Sequence, residues 1–162
     1  MEDAGDQPRA LPRISGCGEY PGDDAVLSAQ SGELTAPPPE AAQRAFDGRS
    51  LEAVQSLEAS VANEARLSPE RFSDLMLAAS ELAANSVRHA GGGGLARAWH
   101  TTEAVFCEVE DAGSIGDPLV GRRRPSLSAR EGRGLWLVNH LCDLVEVRSA
   151  AGRTVVRVQV RS

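Results

Sequence analysis

Apolar positions first recur with a regular period at Leu51. Leu51, Val54, Leu57, Val61 and Ala65 are spaced three and four apart, which predicts an amphipathic helix ending near Leu67. "SPER" restarts the chain: Ser68 suits an N-cap, Pro69 the first helical position and Glu70 the positive end of the helix dipole. Phe72, Leu75, Met76, Ala79, Leu82 and Ala83 form the buried stripe of this second helix, and Gly91–Gly94 end it. Beyond the glycines the period becomes two. "LARAWHT" (Leu95–Thr101) and "AVFCEVED" (Ala104–Asp111) read as strands, the second with Val105, Cys107 and Val109 on one face. A loop rich in Gly, Pro and Arg, Ala112 to Arg133, leads into a helix, "GLWLVNHLCDL" (Gly134–Leu144). "VEVRSAAGRTVVRVQVR" (Val145–Arg161) has the pattern of a hairpin, with Val156, Val158 and Val160 inward and Arg157, Gln159 and Arg161 outward. This order predicts an α/β (α+β) two-layer sandwich, an antiparallel or mixed sheet covered on one face by helices.

Residues 1–47 show no such period. With Pro8, Pro12, Pro21 and "APPPE" (Ala36–Glu40), they are expected to form a mostly disordered tail, leaving residues 48–162 as the domain. Charge sharpens that division. The chain carries a net charge of −6, and all of it lies in the tail: nine acids oppose three arginines there, against fourteen of each beyond it. Neither part is a basic surface, so direct nucleic-acid binding lacks its electrostatic footprint. No apolar run approaches the roughly 18 residues of a spanning helix, and the N-terminus lacks a signal peptide's basic flank and apolar core. A cytoplasmic protein with no membrane partner is expected. Cys17, Cys107 and Cys142 are odd in number and without a C-x-x-C pair, as for free thiols in a reducing compartment. All seventeen basic residues are arginine. The lack of lysine excludes a P-loop, a protein kinase of the eukaryotic type and Schiff-base chemistry.

Three segments carry chemistry. In "ELAANSVRHA", Glu81, Asn85 and His89 sit four apart, offset by about 40° per step on a helix, so they share one face. A solvated polar stripe would give that pattern. So would one wall of a cavity, and the small or apolar neighbours Ala78, Ala79, Leu82, Ala83 and Ala84 suit a cavity better. In "VEDAGSIGDP", a strand ends in Asp111 and runs into a turn with Gly113 and Gly116, where glycine lets the backbone approach a flat ligand. The carboxylate of Asp111 can accept from an exocyclic amine; an ordinary turn is the plainer reading. In "EGRGLWLVNHLCDL", Gly132 and Gly134 flank Arg133 at a helix start, whose free N–H groups and dipole suit phosphates. Arg122, Arg123, Arg124 and Arg130 in the preceding loop suit phosphate oxygens or an acidic partner, or form a solvated charge run.

Taken together, E-L-x-x-N-x-x-x-H, then D-x-G after a strand, then G-x-G-L at a helix start, resemble the ordered signature of the GHKL ATPase superfamily. "ELAANSVRHAGGG" and "GRGLWLVNHLCDLVEVRS…GRTVVRV" are similar in wording to anti-sigma-factor serine/threonine kinases of the RsbW/SpoIIAB type, as found in actinomycetes. The resemblance spans about Leu51 to Val160. It implies a Bergerat-type ATP-binding fold with ATP and Mg²⁺ as cofactors. Carried over, Glu81 matches the general base and Asn85 the Mg²⁺ ligand, while His89 lines the phosphate region. Asp111 matches the residue that reads the adenine amine, with Gly113 beside it. Gly132, Arg133, Gly134 and Leu135 fall in the phosphate-side box, and Thr154 matches the late threonine near the base. Ile115 stands where the pattern has its second glycine, and Arg153 where glycine usually precedes the threonine. The partners implied are a sigma factor, a STAS-type anti-anti-sigma protein as phosphoacceptor, and a second copy of the chain. A catalytically idle ATP-binding module that acts on its partner by binding alone is the alternative. A sensor histidine kinase fits less well, because residues 1–47 supply no phosphoacceptor-histidine hairpin.

Overall fold

A computed structural model describes residues 32–116, 121–122, 124–126, 133–150 and 152–162. The elements run β1 (Ala42–Asp47), α1 (Leu51–Glu64), α2 (Pro69–His89), β2 (Gly93–His100), β3 (Ala104–Asp111), α3 (Arg133–Leu141), β4 (Leu144–Ala150) and β5 (Arg153–Arg161). The strands form one sheet in the order β1-β2-β3-β5-β4. Every neighbouring pair is antiparallel, so of the two sheet types expected only the antiparallel one is present.

The helices cover one face. α1 packs on β1, β2 and β3; α2 on β2, β3 and β5; α3 leans on α2 and β4. The core lies between the layers: Val54, Leu57, Leu75, Ala79 and Leu82 from the helices meet Ala96, Ala98, Val105, Cys107, Val156 and Val158 from the sheet. α2 starts as its sequence dictates, with the Ser68 hydroxyl accepting from the Arg71 N–H at 3.3 Å and Pro69 in the first turn.

The third helix stops at Leu141 rather than the expected Leu144, which instead begins β4, and two larger features depart from the sequence reading. The lack of period places residues 1–47 in the tail, yet residues 42–47 are β1, an edge strand paired with β2 from Ala42↔Ala98 to Asp47↔Gly93. Only Phe46 of this strand is buried, and an edge strand exposed along most of its length carries no two-residue period to detect. Second, Arg157 points away from the helices as expected but is 7% exposed. Its guanidinium meets Glu108 at 2.5 and 2.8 Å, donates to the Thr35 carbonyl at 2.7 Å, and lies 5.1 Å from the Trp99 ring centre. Arg148 donates to the Gly32 carbonyl on the same face. The stretch ahead of β1 therefore crosses the outer face of the sheet.

Candidate nucleotide site

The inward face of the sheet changes character at one end. Rows Cys107–Val158–Val145 and Val109–Val156–Val147 are apolar; the next row across β3, β5 and β4 is Asp111–Thr154–Ser149. The strands thus deliver a carboxylate and two hydroxyls side by side, at the level where the C-terminal half of α2 passes over them. A cavity of about 300 Å³ opens there, within the range of small-ligand sites. Leu82, Val109, Ile115, Leu135 and Val156 give it apolar walls, and Asn85, Ser86, His89, Asp111 and Thr154 supply polar groups. Such a shape, apolar with a few fixed polar atoms, suits a flat heteroaromatic ring with a polar edge.

Asp111 is held from both sides. The Ser86 hydroxyl donates to Oδ2 at 2.6 Å, and the Gly113 N–H donates to Oδ1 at 2.9 Å. Each carboxylate oxygen has a further lone pair, so the group can still accept from a ligand amine. Gly113 is required by closeness: a Cβ there would lie 2.8 Å from the Ala90 side chain. Its carbonyl accepts from Thr154 Oγ1 at 2.9 Å, which ties the turn to β5.

On the other side, Glu81 and Asn85 face the start of α3. A Cβ on Gly134 would lie 2.8 Å from Glu81 Oε2 and 3.2 Å from Asn85 Nδ2. Glycine therefore lets the start of α3 come close to a carboxylate and a carboxamide of α2. A carboxylate and a carboxamide beside a helix N-terminus are groups that could meet a divalent cation and its phosphates. Among the described residues no group of three or more His, Cys, Asp or Glu could hold a metal by itself. Mg²⁺ does not need such a cage, because it keeps water and takes phosphate oxygens as ligands beside one or two protein groups. Asn85 fits it as a neutral oxygen donor.

Of the residues singled out in the sequence, Asn85, His89, Asp111, Gly113, Leu135 and Thr154 line the one cavity. Glu81 lies a turn earlier on α2, beside Gly134 and outside that lining. Arg133 is the exposed first residue of α3, and Gly132 lies outside the described residues. Arg123 and Arg130 also lie outside them. Sequence reasoning missed Ser86 and Ser149. Both left a signal: Ser86 shares a helical face with Leu82 and His89, and Ser149 is the polar third member of the inward series Val145, Val147, Ser149.

No curated relative matches the chain. Among solved structures, the chain is similar to the Acinetobacter baumannii histidine kinase AdeS, at 14% identity and a TM-score of 0.43 over 85% of this chain and 72% of that one. The model of the histidine kinase-like ATPase domain matches residues 45–160, from β1 to the end of β5. The chain belongs to the histidine kinase-like ATPase domain family.

Proposed function

We propose that this domain is an ATP- and Mg²⁺-dependent serine/threonine protein kinase that acts as an anti-sigma factor, with a serine of a STAS-type protein as phosphoacceptor. The observation that carries the reading is the placement of Glu81 and Asn85 against the same glycine at the α3 N-terminus, beside a cavity that ends in the fixed acceptor Asp111. Family membership supports the nucleotide, and the wording of the Glu81–Gly93 and Gly132–Val158 stretches supports the anti-sigma subtype.

Asp111 accepts from the adenine amine, with Leu82, Val109, Ile115 and Val156 enclosing the ring. Asn85 would hold Mg²⁺, which when bound offsets charge on the phosphate oxygens. The α3 N-terminus directs free N–H groups at the same oxygens. Glu81 then accepts the proton of the incoming serine hydroxyl as its oxygen bonds to the γ-phosphorus and ADP leaves. With no lysine in the chain, positive charge at the site comes from the metal, the helix end and arginine.

Incubation with γ-labelled ATP, Mg²⁺ and the STAS-type proteins that co-purify from the native cell should place label on a serine. Glu81→Gln should slow that transfer by about 10²–10⁴-fold and leave ATP affinity within a few-fold of the unaltered protein. A protein that binds ATP yet labels no partner supports the second reading, a module acting by binding alone. Ile115 and Arg153, which replace two expected glycines, are the residues that favour it.

A further inference from the structure

Three hydroxyl-linked contacts at the cavity rim form a single directed chain. Ile115 N–H donates to Ser149 Oγ at 2.7 Å, Ser149 Oγ lies 2.8 Å from Thr154 Oγ1, and Thr154 Oγ1 donates to the Gly113 carbonyl at 2.9 Å. A hydroxyl has one proton to give. That of Thr154 is committed to Gly113, so the Ser149 proton must go to Thr154. The order is then Ile115 N–H, Ser149 O–H, Thr154 O–H, Gly113 C=O, each group donating to the next, an arrangement in which the bonds polarise one another. The chain closes on itself. Both ends of the turn Gly113–Ser114–Ile115 are fastened to the Ser149–Thr154 pair, which faces across β4 and β5 in the sheet register.

We propose that Ser149 is a positioning residue for the nucleotide pocket, holding Ile115 as a fixed wall against the base. This rests on reading the cavity as the nucleotide site. Ile115 stands where the family pattern has a glycine, the residue that would let the backbone pivot. Here the position does not call for one: among the described residues Arg66 alone of the non-glycines has positive φ, so Ile115 sits in ordinary backbone. Its side chain lines the cavity and packs against the core cluster. A branched side chain at that point helps a ligand only if its backbone is anchored, and Ser149 supplies the anchor. At a position where the family pattern has a glycine, the chain has an apolar wall with a hydroxyl clamp.

Two measurements on the full chain test this. Amide hydrogen exchange on the nucleotide-free protein should show the Ile115 N–H protected in the unaltered protein and in Ser149→Thr, which keeps the hydroxyl. In Ser149→Ala that protection should be lost while the amides of β2 and β3 keep theirs. Titration with a fluorescent ATP analogue should show affinity about three- to tenfold weaker in Ser149→Ala, the worth of one hydrogen bond, and restored in Ser149→Thr. Protection of Ile115 that survives Ser149→Ala overturns the clamp. So does equal nucleotide affinity in all three proteins when the unaltered one binds. If the unaltered protein binds no nucleotide, the reading of the cavity fails, and the exchange measurement still decides the clamp.

Discussion

Glu58 is the residue with the largest conflict between chemistry and place. It is on α1, fully buried against the sheet, and neither carboxyl oxygen has a conventional hydrogen-bond partner. Burial pushes its pKa from the usual 4.5 up to about 8, and a weak interaction with the Cys107 thiol of β3 offsets only part of that. Cys107, itself held well above the usual thiol range by burial, stays protonated beside it. The sign follows from where the proton sits. Below about pH 4.5 both folded and unfolded chains hold it, and Glu58 has no pH-dependent effect. Between about 4.5 and 8 the folded chain keeps a proton that the unfolded chain releases, so stability falls as pH rises, by up to about 1.4 kcal/mol per unit. Above about 8 the loss levels off. Glu58→Met, of similar length and apolar, should therefore stabilise the protein more at pH 8 than at pH 5, the difference being roughly 3–4 kcal/mol. Urea unfolding at the two values checks this; an equal gain at both would mean that Glu58 is not the titrating group.

At the scale of elements, the helices and four of the five strands, the β4–β5 hairpin included, were plain from the pattern of the chain. α2 announced both ends, by Ser68–Pro69 and by four glycines, and its apolar stripe predicted Leu75, Ala79, Leu82 and Ala83 in the core. β1 was hidden because an exposed edge strand has one buried side chain and no alternation. The site was legible at its polar residues and not at its walls. Asp111 and Asn85 stand out as polar groups in apolar settings, whereas Val109 and Val156 look like any core residue until the fold sets them around one space. The contact between α2 and α3 could not be read at all, since it rests on a distance: Gly134 sits where a methyl would press on Glu81 and Asn85. Gly134→Ala should thus push α3 away from α2 and weaken Mg²⁺-dependent ATP binding by tenfold or more, while the melting temperature shifts by only a few degrees. Alanine is a better helix former than glycine, so loss of the helix itself would point to a different cause. Circular dichroism and an ATP titration on the same sample separate the two.

For the whole molecule, the sheet has two unlike faces. One carries the helices and the cavity. The other carries an ion-pair ladder in which Arg157, Glu108, Arg97, Glu110 and Arg153 alternate at 2.5–2.9 Å, crossed by the main chain around Gly32–Thr35. Hydrogen bonding to Arg153 holds the Glu110 carboxyl below its usual range, and the paired arginine rises in turn. Arg153 is therefore engaged on the outer face while its neighbour Thr154 serves the cavity, which accounts for an arginine where the pattern has glycine. No helix among the described residues is long and apolar enough to cross a membrane. On the proposed function, the cavity between α2, β3 and β5 binds ATP through Asp111. Calorimetric titration of the full chain tests this reading most directly. It predicts one ATP per chain, bound more tightly with Mg²⁺, and GTP bound at least tenfold more weakly, because guanine turns a carbonyl toward the Asp111 acceptor where adenine turns an amine. It also predicts at least a tenfold loss in Asp111→Asn, whose amide cannot accept from both Ser86 and Gly113. No binding of ATP, or ATP and GTP bound alike and untouched by Asp111→Asn, would contradict it.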